Sequence, residues 1–292
     1  MRITLINPNT SRAMTAKIAD AAREVAGPDV EIVAVCPADG EGPAAVESHY
    51  DEVRAAAAIA DIVLRDQEAG GSDGYVIACF GDPGLDAARE LVDVPVVGIA
   101  EAAMHVAALT GRSFGIVTTL SRTLGRAEDL VLRYGFERAC VAAYGTGIPV
   151  LELEDTGSAA FDQIAGWCER VVREDGADAI VLGCAGMADL CARLSAIVGV
   201  PVVDGVAASV GLVSAMARMG AGTSKRDEYA TPPRVPSPGR AQRRRTGTPV
   251  SEKTRDSAAS GEAGGDGGSG SPASCTAAAE TSGTRSADSV VA

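Results

Sequence analysis

The chain lacks an apolar run of the roughly 20 residues that are needed to cross a bilayer, although 46% of its 292 residues are hydrophobic. Residues 1–11 reach a turn after about seven residues and contain no cleavable hydrophobic stretch. They are therefore predicted to form a first strand and not a signal peptide. These absences argue against a membrane partner and predict a cytoplasmic protein.

Metal and nucleotide motifs are also missing. The sequence has only two histidines, no HExxH motif and no Gly-rich phosphate loop, which argues against a catalytic metal and a bound nucleotide. Its seven cysteines are an odd number without CxxC spacing, so neither a disulfide framework nor a structural metal site is predicted. We expect no metal and no cofactor, and free thiols in a reducing compartment.

Positive charge is scarce, with 26 Lys and Arg against 39 Asp and Glu and a net charge of −13. An acidic surface of this kind argues against nucleic acid or an anionic membrane as partner. The short basic run at residues 243–245 is interpreted as a solvated patch. The expected partner is a small-molecule substrate, and a homo-oligomer is expected.

Composition separates a C-terminal tail from the folded part. Residues 236–292 are so rich in Gly, Ser, Ala, Pro and charge that they are predicted to be a disordered low-complexity tail. In the rest, short β-branched runs alternate with Ala-rich segments of helical period, which is typical of an α/β fold with helices covering parallel sheets. Strands are predicted at residues 2–6, 31–35, 74–78, 94–98, 113–117, 139–143, 179–183 and 200–203, and helices at residues 11–26, 48–68, 121–134, 159–175 and 206–219.

The two halves of the folded part resemble each other. In each half a strand ends at a cysteine, a Gly-containing loop and a helix follow, and a Val-Pro-Val-Val segment comes next; Cys79 precedes Pro95 by 16 residues and Cys184 precedes Pro201 by 17. We predict two similar, flavodoxin-like halves related by a pseudo-two-fold axis, with the ligand in a central cleft at the carboxyl ends of the strands. The predicted boundaries are residues 1–100 with the return of about 206–235 for the first half, and residues 101–205 for the second.

Cys79 and Cys184 are the candidate catalytic residues. A lone cysteine at a strand end is more often a buried structural residue, but two at equivalent positions of a repeat favour function. A nearby helix N-terminus is expected to lower the pKa of such a thiol. Inversion of a stereocentre needs one group to remove a proton from one face and another to return it to the opposite face. The remaining cysteines are interpreted as structural, namely Cys36, Cys140, Cys168, Cys191 and Cys275.

Two polar turns, residues 7–10 and residues 118–119, can supply hydroxyl and N–H groups to a carbanion or enolate. They can equally serve as helix caps. His49 opens a predicted helix near the cleft, where ligand contact and a surface role are equally open. His105 lies in the middle of an Ala-rich helix, and we expect it to have no role in the site.

At these residues the chain resembles the aspartate/glutamate/hydantoin racemase superfamily, and within it the hydantoin and allantoin racemase branch. The resemblance covers most of residues 1–235. It implies a cofactor-free, two-base proton transfer at C5 of a 5-substituted hydantoin or of allantoin. The matching segments are residues 6–10 (INPNT), 42–43 (GP), 47–51 (ESHYD), 78–85 (ACFGDPGL), 117–119 (VTT), 182–187 (LGCAGM) and 223–226 (TSKR) with Tyr229.

The resemblance also implies roles for individual residues. Cys79 and Cys184 become the two acid/base groups. Amino-acid racemases of the superfamily usually carry Asn-Thr after the first cysteine and Thr-His after the second, a pattern that this chain does not show. The departure favours a neutral ring held by backbone groups and an apolar wall over free glutamate or aspartate. The implied substrate contacts are Asn9, Thr118, Thr119 and the backbone at Phe80, Gly81, Ala185 and Gly186.

Other functions remain open on the sequence. A maleate cis-trans isomerase, an arylmalonate decarboxylase or an aspartate/glutamate-type racemase would keep the same fold, although two cysteines argue against the decarboxylase pattern. A non-catalytic small-molecule binding protein could also use two α/β halves around a cleft, but it would have no use for opposed thiols. The substituent at C5 and the identity of the resting thiolate are not fixed by the sequence.

Overall fold

The computed structural model describes residues 1–154 and 158–233. In these ranges strands and α-helices alternate without interruption. The strands are β1 (Arg2–Ile6), β2 (Glu31–Val35), β3 (Gly74–Ile77), β4 (Val96–Gly98), β5 (Phe114–Thr118), β6 (Cys140–Gly145), β7 (Ala179–Gly183) and β8 (Val202–Val203). The helices are α1 (Arg12–Val25), α2 (His49–Glu68), α3 (Leu85–Leu91), α4 (Ile99–Thr110), α5 (Leu124–Arg133), α6 (Ser158–Glu174), α7 (Cys191–Val198) and α8 (Gly205–Met219).

The strands form two four-stranded sheets in which every pairing is parallel. The strand order is β2-β1-β3-β4 in the first sheet and β6-β5-β7-β8 in the second, so one order occurs twice. The predicted α/β class with two similar, flavodoxin-like parallel sheets is confirmed. In both sheets the central strands end at the same edge, which is where open α/β sheets bind ligands.

Both faces of the sheets are covered, which explains why the central strands are mainly apolar and do not alternate. All residues of β3, β5 and β7 are buried. The last helix, α8, packs on the first sheet through Val206, Val210 and Val213, which contact a cluster containing Leu5 and Val76. The division of the chain at residues 100 and 205 stays a prediction, and the predicted tail at residues 236–292 lies outside the described residues.

Two strands begin later than predicted because of proline. Residues 94 and 200 were expected to open β4 and β8, but these strands begin at Val96 and Val202. Pro95 and Pro201 lack an N–H and contribute only their carbonyls, which accept hydrogen bonds from Tyr75 (3.0 Å) and Ile180 (2.9 Å). The two prolines occupy equivalent positions and accept equivalent backbone hydrogen bonds. The repeat therefore includes the pairing of the strands. Of the helices described, none has the length and apolarity that a membrane span requires.

Candidate active site

A cavity of about 650 Å³, its open mouth included, lies at the carboxyl ends of the strands. Cys79, two residues beyond the end of β3, and Cys184, directly beyond β7, both line it. The other lining residues are Asn7, Pro8, Asn9, Met14, Val46, Glu52, Ala78, Phe80, Gly81, Thr118, Thr119, Thr123, Arg126, Ala127, Val150, Gly183 and Ala185.

Each of the two cysteines is the first residue of a backbone turn, and the two turns are of the same kind. The N–H of Asp82 donates to the carbonyl of Cys79 (2.9 Å), and the N–H of Met187 donates to the carbonyl of Cys184 (3.1 Å). Two residues after each cysteine a glycine, Gly81 or Gly186, donates its backbone N–H to the thiol. Each half therefore presents one partly exposed thiol to the same cavity, in the same local geometry.

Burial raises the pKa of both thiols, to about 12 for Cys79 and about 11 for Cys184. The glycine N–H groups act in the opposite direction but are outweighed. Our expectation that a helix N-terminus would lower these pKa values is therefore wrong. The physical reason is burial of both sulfurs, which raises their pKa values more than the N–H groups of the following turns lower them.

The charges around the two thiols differ. For Cys79 the next contributions to the pKa come from Cys184, Asp82 and Glu52, and all three raise it. For Cys184 the Lys17 ammonium lowers the pKa, while Glu47 raises it. The Lys17 charge thus favours the thiolate of Cys184, whereas the acidic groups near Cys79 disfavour the thiolate there.

Lys17 reaches this region from α1. Its ammonium donates to the carbonyls of Leu153 (2.8 Å) and Gly186 (3.1 Å) and lies 3.1 Å from the Asp189 carboxylate. It therefore holds the turn after Cys184 while placing a positive charge near that sulfur.

Asn9 and Thr119 offer hydrogen-bond donors to the cavity. The side-chain oxygen of Asn9 accepts from the Asn7 amide (2.8 Å) and from the Ser11 N–H (2.9 Å), which orients the Asn9 NH₂ group. Neither this NH₂ group nor the Thr119 hydroxyl has a hydrogen-bond partner within residues 1–154 and 158–233. Both are therefore available to a ligand oxygen.

Thr118 lines the cavity, but its hydroxyl is engaged. It donates to the carbonyl of Gly183 (2.8 Å), immediately before Cys184. A Cβ at Gly183 would overlap the Thr118 side chain, so glycine permits this close approach. The contact ties the end of β5 to the end of β7 and so positions the second thiol.

The structure does not bring every predicted site residue to the cavity. Phe80, Gly81 and Ala185 line it, whereas Gly186 and His49 lie outside the lining set. The His49 side chain is 88% exposed, and its Nδ1 lies 3.6 Å from a Glu52 carboxylate oxygen. This placement favours the surface role that the sequence had left open for His49.

Sequence reasoning missed two charged residues in the cavity wall. Glu52 comes from the first turn of α2 and Arg126 from α5. Glu52 follows the ESHYD segment directly and could have been found from it. Arg126 gives no local signal, because only the folded chain brings α5 beside the loop after β3. In the described part of the chain, no three His, Cys, Asp or Glu side chains are arranged to hold a metal ion.

Comparison with known proteins agrees with the fold. The family model for Asp/Glu/hydantoin racemase matches residues 3–213. A hydantoin racemase of Rhizobium meliloti is 45% identical over 232 residues, which cover 80% of this chain and 95% of that protein.

Two solved structures match closely. An allantoin racemase from Klebsiella pneumoniae is 50% identical, with a TM-score of 0.77 and coverage of 80% of this chain and 94% of that one. An allantoin racemase from Pseudomonas fluorescens is 40% identical, with a TM-score of 0.76 and coverage of 81% and 99%. The resemblance noted in the sequence is confirmed: the chain belongs to the Asp/Glu/hydantoin racemase family and is a racemase.

Proposed function

We propose that the protein inverts C5 of a cyclic ureide, a 5-substituted hydantoin or allantoin, with Cys79 and Cys184 as the acid/base pair. The observation that carries the proposal is the repeated turn that presents two thiols to one cavity. The names of the relatives, hydantoin racemase and allantoin racemase, support the substrate class. No cofactor takes part in the proposed reaction.

The chemistry follows from the acidity of C5–H, which lies beside a ring carbonyl. The thiolate of one cysteine removes the C5 proton from one face, and the electron pair moves into the ring as an enolate. The thiol of the other cysteine then protonates C5 from the opposite face and is left as the thiolate, so the reverse reaction exchanges the two roles. In this proposal the free NH₂ of Asn9 and the hydroxyl of Thr119 donate hydrogen bonds to the enolate oxygen.

The reaction is tested by proton NMR and polarimetry in deuterated water, with single enantiomers of allantoin and of 5-substituted hydantoins. We expect loss of the C5 proton signal together with decay of the optical rotation, both faster than without protein. If no ring substrate is accelerated, the proposal fails, and maleate, aspartate and glutamate become the substrates to assay.

The rate is expected to rise with pH. Because burial raises the pKa of Cys184 to about 11 and that of Cys79 to about 12, both are mainly thiols in the free protein at neutral pH. The thiolate fraction, and with it kcat/KM, should increase about tenfold per pH unit between pH 7 and 9. Initial rates by polarimetry, corrected for uncatalysed racemisation at each pH, measure this. A maximum near pH 7 would contradict the assignment of the base.

A further inference from the structure

Two oppositely charged side chains in the cavity wall have no part in the proposed proton transfer. Glu52 and Arg126 are 22% and 27% exposed, and a Glu52 carboxylate oxygen lies 3.5 Å from Nε of Arg126. Both charged groups are only partly accessible to water, and each can still form hydrogen bonds inside the cavity. The hydrogen-bond donors and acceptors that these two side chains leave unused therefore indicate which ligand groups the cavity can bind.

Arg126 is fixed in position yet retains free donors. Its Nε and one terminal nitrogen donate to the carbonyl of Gly81, at 3.1 and 2.7 Å. This pair of hydrogen bonds fixes the plane of the guanidinium group. In residues 1–154 and 158–233, the other terminal nitrogen of Arg126 has no acceptor.

Glu52 retains acceptors next to that donor. Its carboxylate contacts Arg126 at 3.5 Å and His49 at 3.6 Å, and both distances exceed those of ordinary hydrogen bonds. Among the described residues, no group donates a hydrogen bond to this carboxylate. The carboxylate of Glu52 therefore retains unused acceptors, and the guanidinium group beside it retains one unused donor nitrogen.

Glu52 and Arg126 differ in burial from Asn9 and Thr119, the residues proposed to bind the reacting ring. Asn9 and Thr119 are only 5% and 4% exposed and lie at the strand ends. Glu52 and Arg126 belong to helices, and their side chains remain 22% and 27% exposed; we take them to lie nearer the mouth. A ring that directs its carbonyls to Asn9 and Thr119, with C5 between the thiols, directs its C5 substituent outward.

We propose that Glu52 and Arg126 form the subsite for the C5 substituent, and that they select a substituent with both N–H and C=O groups, such as a ureido group, over an alkyl or aryl group. The inference rests on the proposed function and specifies its substrate. A ureido group donates to Glu52 and accepts from Arg126. A hydrocarbon substituent at the same place displaces water from both charged groups and forms no hydrogen bond with either of them.

The test compares kcat/KM for allantoin and for 5-isobutylhydantoin in the wild type and in Glu52→Leu. The ratio of the two values is the readout, because any effect of Glu52 on the thiols is common to both substrates and cancels. We expect wild type to prefer allantoin, and Glu52→Leu to reduce this preference about 10- to 100-fold. Glu52→Gln, which keeps the size and one carbonyl oxygen, should reduce it less.

Glu68→Leu is the matched control, because it makes the same exchange at an exposed position of the same helix, and it should leave the preference unchanged. If Glu52→Leu and Glu52→Gln slow both substrates by one factor, or alter neither, the subsite proposal is overturned while the racemase proposal stands. If the wild type racemises neither ring, the proposed function itself is overturned.

Discussion

Replacing Cys79 or Cys184 with serine is expected to reduce racemisation by about 10³-fold or more, the scale of a lost acid/base group. Serine keeps the size and the turn, so the fold should survive, but its hydroxyl does not ionise at the pH at which a thiol can. The measurement is kcat by polarimetry on either enantiomer.

Cys36→Ser is the matched control for these variants. Cys36 is also a partly buried free thiol, but it lies outside the cavity lining, so its replacement should leave kcat within about twofold. Racemisation at the wild-type rate by both Cys79→Ser and Cys184→Ser would show that other groups carry the proton.

Asp82→Ala is expected to give the largest loss of stability. The Asp82 carboxylate is buried and accepts from the N–H groups of Ala100 (3.1 Å) and Glu101 (2.9 Å) and from the hydroxyl of Tyr134 (2.7 Å). It therefore caps the start of α4 from the loop that carries Cys79. A Cβ at Gly98 would overlap this carboxyl group, which shows how closely the loop packs on α4.

The expected loss is about 3–5 kcal/mol in the free energy of unfolding. Three lost hydrogen bonds account for about 1 kcal/mol each. A further cost of about 1 kcal/mol comes from placing alanine at the positive φ of 44° that Asp82 adopts. Urea denaturation measures the change. Asp82→Asn keeps one acceptor oxygen and tolerates a positive φ, so its loss should be smaller; a change below about 1 kcal/mol for Asp82→Ala would contradict the capping role.

The fold was predictable because its signals are local. Each central strand is an apolar run, and the repeated Cys-x-Gly sequence at residues 79–81 and 184–186 marks equivalent points of the two sheets. A turn after a parallel strand always lies at the carboxyl edge. The alternation of strands and helices and the convergence of both cysteines on one cavity follow from these signals.

Other parts of the site depend on tertiary contacts that no local pattern reports. Glu52, Arg126 and Lys17 come from three different helices and meet the cysteine turns only in the folded chain. The direction of the thiol pKa shifts depends on the depth of burial, which no local pattern reports. Thr118 could be named as a cavity residue from its position, but the acceptor of its hydroxyl, the Gly183 carbonyl, could not.

The most direct test of opposed thiols is deuterium exchange at C5, followed separately for each enantiomer of allantoin in Cys79→Ser and in Cys184→Ser. With one thiol left, only the face that it contacts can lose and regain a proton. Each variant should therefore exchange C5–H in one enantiomer without inverting it, and the two variants should act on opposite enantiomers. Exchange of the same enantiomer by both variants, or of both enantiomers by either one, would contradict a mechanism in which Cys79 and Cys184 serve opposite faces.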